Sequence, residues 1–232
     1  MVNTPATPDR RDPLDAVTAA ALRACISAER LRPYERAAGD PGRALDLSVW
    51  NLAASAAFFE DLGVLEVALR NACHDQLRAW DAAQGRTAPW YDLPLLDNRR
   101  RGDVAEARRR LQQGRRAETE GRVIAELAFG FWRQLHAARY ESDLWTPCLR
   151  RAYPHLPSRR RGTVYERLDH LNTLRNRLAH HEPVHGRDVA RTGKDLAGLH
   201  ADLVDLLGWI SPPVATWLSS TSRLPALLLS KP

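Results

Sequence analysis

The fold is decided by residues 171–183, which read LNTLRNRLAHHEP. Together with the residues before it, this stretch predicts a long helix from about Thr163 to His181. Thr163 and Glu166 form a capping box, which satisfies the free N–H groups at a helix start. Pro183 ends the pattern, because proline disfavours helical geometry in the residue before it. The apolar residues between cap and proline recur on one helical face; they are Val164, Leu168, Leu171 and Leu178.

An arginine interrupts that apolar face. Arg175 occupies the position where the spacing asks for another apolar residue. Burying an unpaired guanidinium is costly, so Arg175 needs a partner, a cleft or a second subunit. Asn176 and His180 are i, i+4 neighbours and share a face of the helix. The helix end therefore predicts an arginine, an amide and an imidazole around one space, which are groups that hold a phosphate and move a proton.

Composition sets the outer limits. The chain has 232 residues, which is enough for one domain with a substantial core. Its formal net charge of +6 weakly favours a polyanionic partner. We expect a disordered tail over residues 1–12 and a single domain over residues 13–232. No apolar run approaches the length of a membrane span. Three widely spaced cysteines (Cys25, Cys73 and Cys148) indicate a reducing cytoplasm, with no disulfide frame and no zinc site. We also expect no metal and no cofactor.

Helical spacing dominates the rest of the chain. The predicted helices cover residues 14–31, 45–61, 62–80, 98–113, 119–139, 143–152, 163–181, 189–209 and 214–219. In this scheme Pro33 ends the first helix, residues 35–43 and 83–98 are loops, and Gly63 separates the second and third helices. There is no sustained alternation with period two and no glycine-rich phosphate loop. The sequence therefore predicts an all-α fold.

The segment starting at Asn98 is the most basic part of the chain. Its arginines are Arg99, Arg100, Arg101, Arg108, Arg109, Arg110, Arg115 and Arg116. A solvated helical surface is one interpretation of such a run. The other is a track for the RNA backbone, since arginines at helical spacing can contact successive phosphates; its candidate residues are Arg99, Arg100, Arg101, Arg108 and Arg109.

A second group of candidates lies earlier in the chain. Glu66, Arg70 and His74 form an i, i+4, i+8 column, which is typical of a solvated ion-pair face. Alternatively, Arg70 and Asn71 lie beside Arg175 and Asn176, because both pairs are Arg-Asn dipeptides within apolar helices. The sequence leaves both interpretations open.

RNA cleavage without a metal is one reaction that these groups can perform. It needs proton transfer at the 2′-hydroxyl and at the leaving 5′-oxygen, for which histidine is suited by its pKa near neutrality. It also needs a positive charge at the phosphate, which arginine supplies. One chain offers few such groups, whereas a two-fold dimer of motif helices would bring two sets together.

The motif also resembles that of a known family. Residues 174–183, LRNRLAHHEP, resemble the Arg-x(4–6)-His signature of the HEPN superfamily of all-α domains, and in particular its Abi-like branch, which is associated with abortive infection. Three upstream segments look like the same branch: WN at 50–51, LEVALRNA at 65–72 and ELAFGFW at 126–132. The resemblance covers roughly residues 45–210. It implies a HEPN-like helical bundle with additional helices.

The resemblance further implies a metal-independent endoribonuclease that acts in phage defence or as a toxin. On matched positions, Arg175 and His180 would be catalytic with Asn176 in support, and His181 is a second candidate for the histidine. It implies RNA as the substrate, a homodimer with a composite active site, and a possible antitoxin or regulatory partner. Glu66, Arg70 and Asn71 remain possible site residues.

Three alternatives remain. Arg175 and His180 can be structural, as an arginine that bridges helices and a histidine at the negative end of a helix dipole. The chain can also be a non-catalytic HEPN-like module that binds RNA, a nucleotide or a protein. A metal hydrolase built from His180, His181, Glu182 and His185 is the weakest, because adjacent helical residues point about 100° apart.

Overall fold

The computed structural model describes residues 15–158 and 160–232, and these residues form helices and no β-strand. The prediction of an all-α fold is confirmed, whereas the predicted tail over residues 1–12 lies outside the described residues. The helices are α1 (Ala16–Ile26), α2 (Ala28–Ala38), α3 (Pro41–Ala82), α4 (Asn98–Gln113), α5 (Glu120–Glu126), α6 (Phe129–Leu135), α7 (Arg161–Ala179), α8 (Leu196–Ile210), α9 (Pro212–Thr221) and α10 (Leu224–Leu229). Short 3₁₀ turns lie at Trp90–Asp92, Ala138–Tyr140, Leu149–Ala152 and Val189–Arg191, and a π-helical turn at Glu141–Trp145.

The prediction of one continuous helix over residues 14–31 is wrong, both in its continuity and in where the helical segment ends. Ser27 has a positive φ of 69° and separates α1 from α2. Pro33 lies inside α2, which continues because Leu31 and Tyr34 on either side are buried in the core. The predicted loop over residues 35–43 is accordingly reduced to the residues around Gly39, which ends α2 with a left-handed conformation.

The predicted break at Gly63 is also wrong, since α3 is continuous from Pro41 to Ala82. A glycine within a helix costs only about 1 kcal/mol relative to alanine. The neighbouring Leu62 and Leu65 are almost wholly buried, so their packing outweighs that cost.

Other boundaries differ for local reasons. Asp97 caps α4, which begins at Asn98, by accepting a hydrogen bond from the N–H of Arg100. The predicted helix over residues 119–139 is two helices, because Leu127 and Ala128 adopt extended backbone between α5 and α6. Near the end of the chain, Pro212 begins α9. Proline is tolerated at the first position of a helix because the N–H that it lacks would make no hydrogen bond within the helix.

The motif helix begins earlier than its sequence suggests. It starts at Arg161, so Thr163 and Glu166 lie inside its first turns and the predicted capping box is wrong. The Arg161 side chain donates to the carbonyl of His136 and pairs with Glu141, which holds the chain in position at the helix start.

The described chain divides into two compact units. The first consists of residues 15–60, 174–200 and 221–232, and the second of residues 61–173 and 201–220. The core of the first unit includes Leu31, Tyr34, Leu45, Trp50, Phe58, Leu174, Leu178, Leu196, Leu199 and Leu224. The core of the second includes Leu65, Leu69, Leu77, Trp90, Leu111, Trp132, Tyr140, Leu168, Leu203 and Leu206. The single domain over residues 13–232 stays a prediction.

The core of the second unit contains a fully buried histidine, His136. Its Nδ1 lies 2.8 Å from the carbonyl oxygen of Trp132, which can only accept, so Nδ1 carries the proton. The hydroxyl of Tyr153 therefore donates to Nε2, also at 2.8 Å. Burial lowers the pKa of His136 from 6.5 to about 4. His136 is thus a neutral, satisfied core residue, as the chemistry of a buried imidazole requires.

None of the helices over the described residues is both long enough and apolar enough to cross a bilayer.

Candidate functional site

The end of α7 is a Schellman motif formed by residues 177–182. The N–H of Glu182 donates to the carbonyl of Arg177 at 2.9 Å, and the N–H of His181 donates to the carbonyl of Leu178 at 3.0 Å. A Schellman motif requires a left-handed residue just after the helix C-cap, and His181 occupies that position with a φ of 53°. A side chain other than glycine is strained there, although histidine is among the residues that tolerate it better.

Two side chains of the first unit fix the turn after α7. The guanidinium of Arg177 donates to the carbonyl of Pro183 at 3.1 Å and lies 3.4 Å from the carboxylate of Glu182. The carboxamide oxygen of Asn51, itself 1 % exposed, accepts a hydrogen bond from the N–H of Val184 at 2.8 Å. The turn that carries the histidines is therefore held by an arginine before it and by an asparagine of α3.

The carboxyl-terminal residues pack onto the same segment. The indole N–H of Trp50 donates to the carbonyl of Leu227 at 2.7 Å, and Nζ of Lys231 donates to the carbonyl of His185 at 2.6 Å. The Lys231 ammonium also lies 5.6 Å from the centroid of the Trp50 ring. His185 is half-buried, and burial lowers its pKa. It is therefore held in place as part of the scaffold behind the turn.

An open groove of about 810 Å³ lies beside this turn in the first unit. The turn contributes His180, His181, Glu182 and Pro183 to its lining; α2 contributes Arg30, Pro33 and Tyr34, and α3 contributes Ser48 and Leu52. Cys25 and Ile26 at the end of α1, and Ser27 between α1 and α2, complete the lining. Two imidazoles and a guanidinium thus share one solvent-accessible space.

The predicted site residues divide around this groove. His180 and His181 are exposed and line it. Arg175 is half-buried with its Nε shielded from solvent, Asn176 is exposed, and neither lines the groove. Five residues on a helix turn through about 500°, which leaves Arg175 about 140° away from His180 around the axis. The groove therefore brings His180 together with His181 and Arg30, not with Arg175 and Asn176.

The earlier candidates belong to the second unit. Glu66 and Arg70 are half-buried on α3, and Arg70 Nε lies 3.4 Å from the Oδ1 of exposed Asn71. His74 does not belong to a solvated face: it is 8 % exposed and its Nδ1 accepts from the indole N–H of Trp90 at 3.1 Å. Burial lowers the pKa of His74. The proximity of Arg70-Asn71 to Arg175-Asn176 stays a prediction.

The arginines of α4 and of the residues just after it are largely matched by carboxylates within the second unit. Arg108 makes a bidentate contact with Asp92 and a further bond to Glu118. The other matched arginines are Arg100 with Asp103, Arg109 and Arg110 with Glu106, and Arg116 with Glu126. Arg100 is 5 % exposed, so its guanidinium is inaccessible to a nucleic acid. Arg99 and Arg101 are exposed, the latter bonded to Asn98. This pairing favours the ionic surface over the RNA track.

The groove offers proton transfer and anion binding. Among residues 15–158 and 160–232, no group of three or more His, Cys, Asp or Glu side chains is arranged to hold a metal ion. The imidazoles of His180 and His181 are of the chemical type that can accept or donate a proton in catalysis. The carboxylate of Glu182, which also lines the groove, pairs with Arg177, and this offsets part of its negative charge.

Comparison of the chain with family models, with curated proteins and with solved structures found no match. The resemblance to the Abi-like branch of the HEPN superfamily therefore stays a prediction.

Sequence reasoning missed three lining residues: Arg30, Tyr34 and Ser48. They lie more than 120 residues before the histidines. Arg30 falls in the predicted helix over residues 14–31, Tyr34 falls just after it, and Ser48 falls in the predicted helix over residues 45–61. No motif marks them, because only the packing of α2 and α3 beside the turn makes them neighbours of His180.

Proposed function

We propose that this chain is a metal-independent endoribonuclease that acts in phage defence or as a toxin. The observation that carries the proposal is the pair of exposed imidazoles, His180 and His181, at the strained end of α7, facing the same groove as Arg30. The resemblance of residues 174–183 to a ribonuclease signature supports the same conclusion.

The chemistry needs two proton transfers and one cation. One imidazole takes the proton of the 2′-hydroxyl, whose oxygen attacks the adjacent phosphorus. The bond from phosphorus to the 5′-oxygen breaks, and the second, protonated imidazole gives its proton to that oxygen. The products are a 2′,3′-cyclic phosphate and a 5′-hydroxyl. An arginine stabilises the charge that builds on the non-bridging oxygens.

Two arginines are candidates for that cation. The resemblance assigns Arg175, supported by Asn176, in a cleft shared by two copies of the chain, and a homodimer is part of this proposal. Arg30 lies in the same groove as the histidines within one copy. A nuclease of this kind also needs restraint, for which we propose an antitoxin or regulatory partner.

The proposal is tested by incubating the purified full chain with total RNA in EDTA. We expect cleavage to persist in EDTA and to fall about 100-fold or more in His180→Ala, since general acid–base catalysis contributes on the order of 10² to 10⁴ in rate. His155→Ala, which removes an exposed imidazole of the second unit, is the matched control. Cleavage that is abolished by EDTA, or that is unchanged in His180→Ala, would contradict the proposal.

Comparing Arg30→Gln with Arg175→Ala decides which arginine serves the phosphate. Loss of cleavage in a folded, dimeric Arg175→Ala variant supports the composite site. Wild-type cleavage by that variant, with loss in Arg30→Gln, assigns the phosphate to the groove within one chain.

The second candidate function is a non-catalytic module that binds RNA, a nucleotide or a protein. It is favoured by the position of Arg175 and Asn176 outside the groove that His180 lines. RNA binding that survives in the complete absence of cleavage, with any RNA offered, would favour this candidate over the nuclease.

A further inference from the structure

Two hydroxyl groups form part of the groove lining and have no hydrogen-bond partner among the described residues. They belong to Tyr34 on α2 and Ser48 on α3, two residues whose exposed fractions are 5 % and 4 %. Neither oxygen is among the fully shielded side-chain atoms that lack a partner. Each hydroxyl can therefore donate to or accept from a ligand in the groove that their residues line.

The surroundings of these hydroxyls combine positive charge with apolar surface. Arg30 lies close enough to Tyr34 to act on its phenol, opposing the rise in pKa that burial causes. α2 begins at Ala28, and the Ser27 side chain does not cap it, so the first N–H groups of the helix lie beside Arg30 without that side-chain partner. Leu52 and Pro183 supply apolar contacts. A ligand with an anionic end, a flat apolar body and a polar edge fits this combination.

We infer that the groove binds one nucleotide of the RNA substrate, with its phosphate at Arg30 and the start of α2 and its base against Leu52 and Pro183. The hydroxyls of Tyr34 and Ser48 hydrogen-bond to the polar edge of that base, which makes them the residues that set base preference next to the cleaved bond. The inference rests on the proposed RNA-cleaving function. The volume of about 810 Å³ lies within the range of small-molecule sites, about 300 to 1,000 Å³.

Cys25 gives a direct readout of groove occupancy. It is exposed and lines the groove, whereas Cys73 and Cys148 are buried and burial raises the pKa of each thiol to about 12. Iodoacetamide should therefore alkylate Cys25 selectively in the folded protein. The rate of that reaction, followed by mass spectrometry, measures protection by a bound ligand without any need for RNA cleavage.

The ligands are the four ribonucleoside 3′-monophosphates, the matching nucleosides and inorganic phosphate. We expect at least one 3′-nucleotide to slow alkylation about tenfold at ten times its dissociation constant, and nucleosides and phosphate to protect less. Arg30→Gln should weaken nucleotide protection more than tenfold. Tyr34→Phe and Ser48→Ala should each weaken it roughly 2- to 12-fold, and unequally among the four bases.

Matched controls are Arg36→Gln on the exposed part of α2, Ser55→Ala on α3 and Tyr91→Phe in the second unit, none of which lines the groove. Each should retain wild-type protection. A variant that fails to fold reveals itself in the same spectra, because Cys73 and Cys148 then become alkylated.

Four results decide the outcome. Absence of protection by all four nucleotides at about 10 mM, roughly tenfold above the upper end of common KM values, overturns the inference. Equal protection in wild type, Tyr34→Phe and Ser48→Ala overturns it as well. Protection without any RNA cleavage refutes the nuclease and leaves the nucleotide site standing. RNA cleavage without protection refutes the nucleotide site alone.

Discussion

The two adjacent histidines at the end of α7 should respond oppositely to glycine. His181 has φ of 53°, whereas His180 has a negative φ. The left-handed conformation is unfavourable by about 1 to 2 kcal/mol for a residue with a Cβ, whereas glycine adopts it without strain. Glycine also loses more chain entropy on folding, by roughly 0.5 to 1 kcal/mol relative to alanine.

The magnitudes follow from these two contributions. His180→Gly gains nothing in the folded state and should lower the free energy of unfolding by roughly 0.5 to 1 kcal/mol. His181→Gly gains the released strain, so its free energy of unfolding should stay near wild type or rise by about 1 kcal/mol. The entropy contribution is common to both variants, and their difference should therefore be about 1 to 2 kcal/mol.

Urea unfolding followed by circular dichroism measures this difference at a pH and protein concentration held constant. If His181 transfers a proton, His181→Gly should be at least as stable as wild type and yet cleave RNA more slowly, which is the trade-off expected of a strained functional residue. Equal destabilisation by the two glycine variants would refute the account of strain at His181.

Two further predictions concern stability. The pKa of His136 is about 4 in the folded protein, against an ordinary value of 6.5. Between these two pH values the unfolded chain binds a proton at this histidine and the folded chain does not. The free energy of unfolding therefore falls as the pH drops, by at most about 3 kcal/mol. Urea unfolding from pH 7 to pH 4.5 should show a shallower loss for His136→Gln than for wild type, while the surface variant His155→Gln keeps the wild-type slope; parallel slopes for all three would contradict it. Asn51→Ala leaves the N–H of Val184 buried without its acceptor and should lower the free energy of unfolding by about 1 to 3 kcal/mol, measured by thermal or urea unfolding. Asn51→Asp restores an acceptor oxygen and should recover part of that loss. An equal loss in both variants would argue against the hydrogen bond.

The upstream segment WN at residues 50–51 shows what sequence similarity can and cannot assign. The resemblance singles out both residues, and in the structure each makes a specific hydrogen bond: Trp50 to Leu227 and Asn51 to Val184. The first bond fixes the backbone of α10, and the second fixes the residue that follows the turn and Pro183. Their part in the candidate site is therefore positional, which the sequence could not distinguish from a chemical role.

Helix termini were predicted less well than helix interiors, for a physical reason. The apolar residues Val164, Leu168, Leu171 and Leu178 of the predicted face are all buried in α7. Their spacing reflects a helical period that any core-facing helix must obey. The start of α7 at Arg161 depends instead on contacts with Glu141 and the His136 carbonyl, which are distant in sequence.

By itself, the sequence determined that this chain is helical and that a histidine pair ends its motif helix, because helical period and the stop at Pro183 are local properties of the chain. Only the tertiary structure decided which groups accompany those histidines. Arg30, Tyr34 and Ser48 reach the groove through the packing of α2 and α3, and Arg175 is turned away from it by the 3.6-residue geometry of its own helix. Side-chain neighbours across a groove depend on how helices pack, and no local pattern of residues encodes that packing.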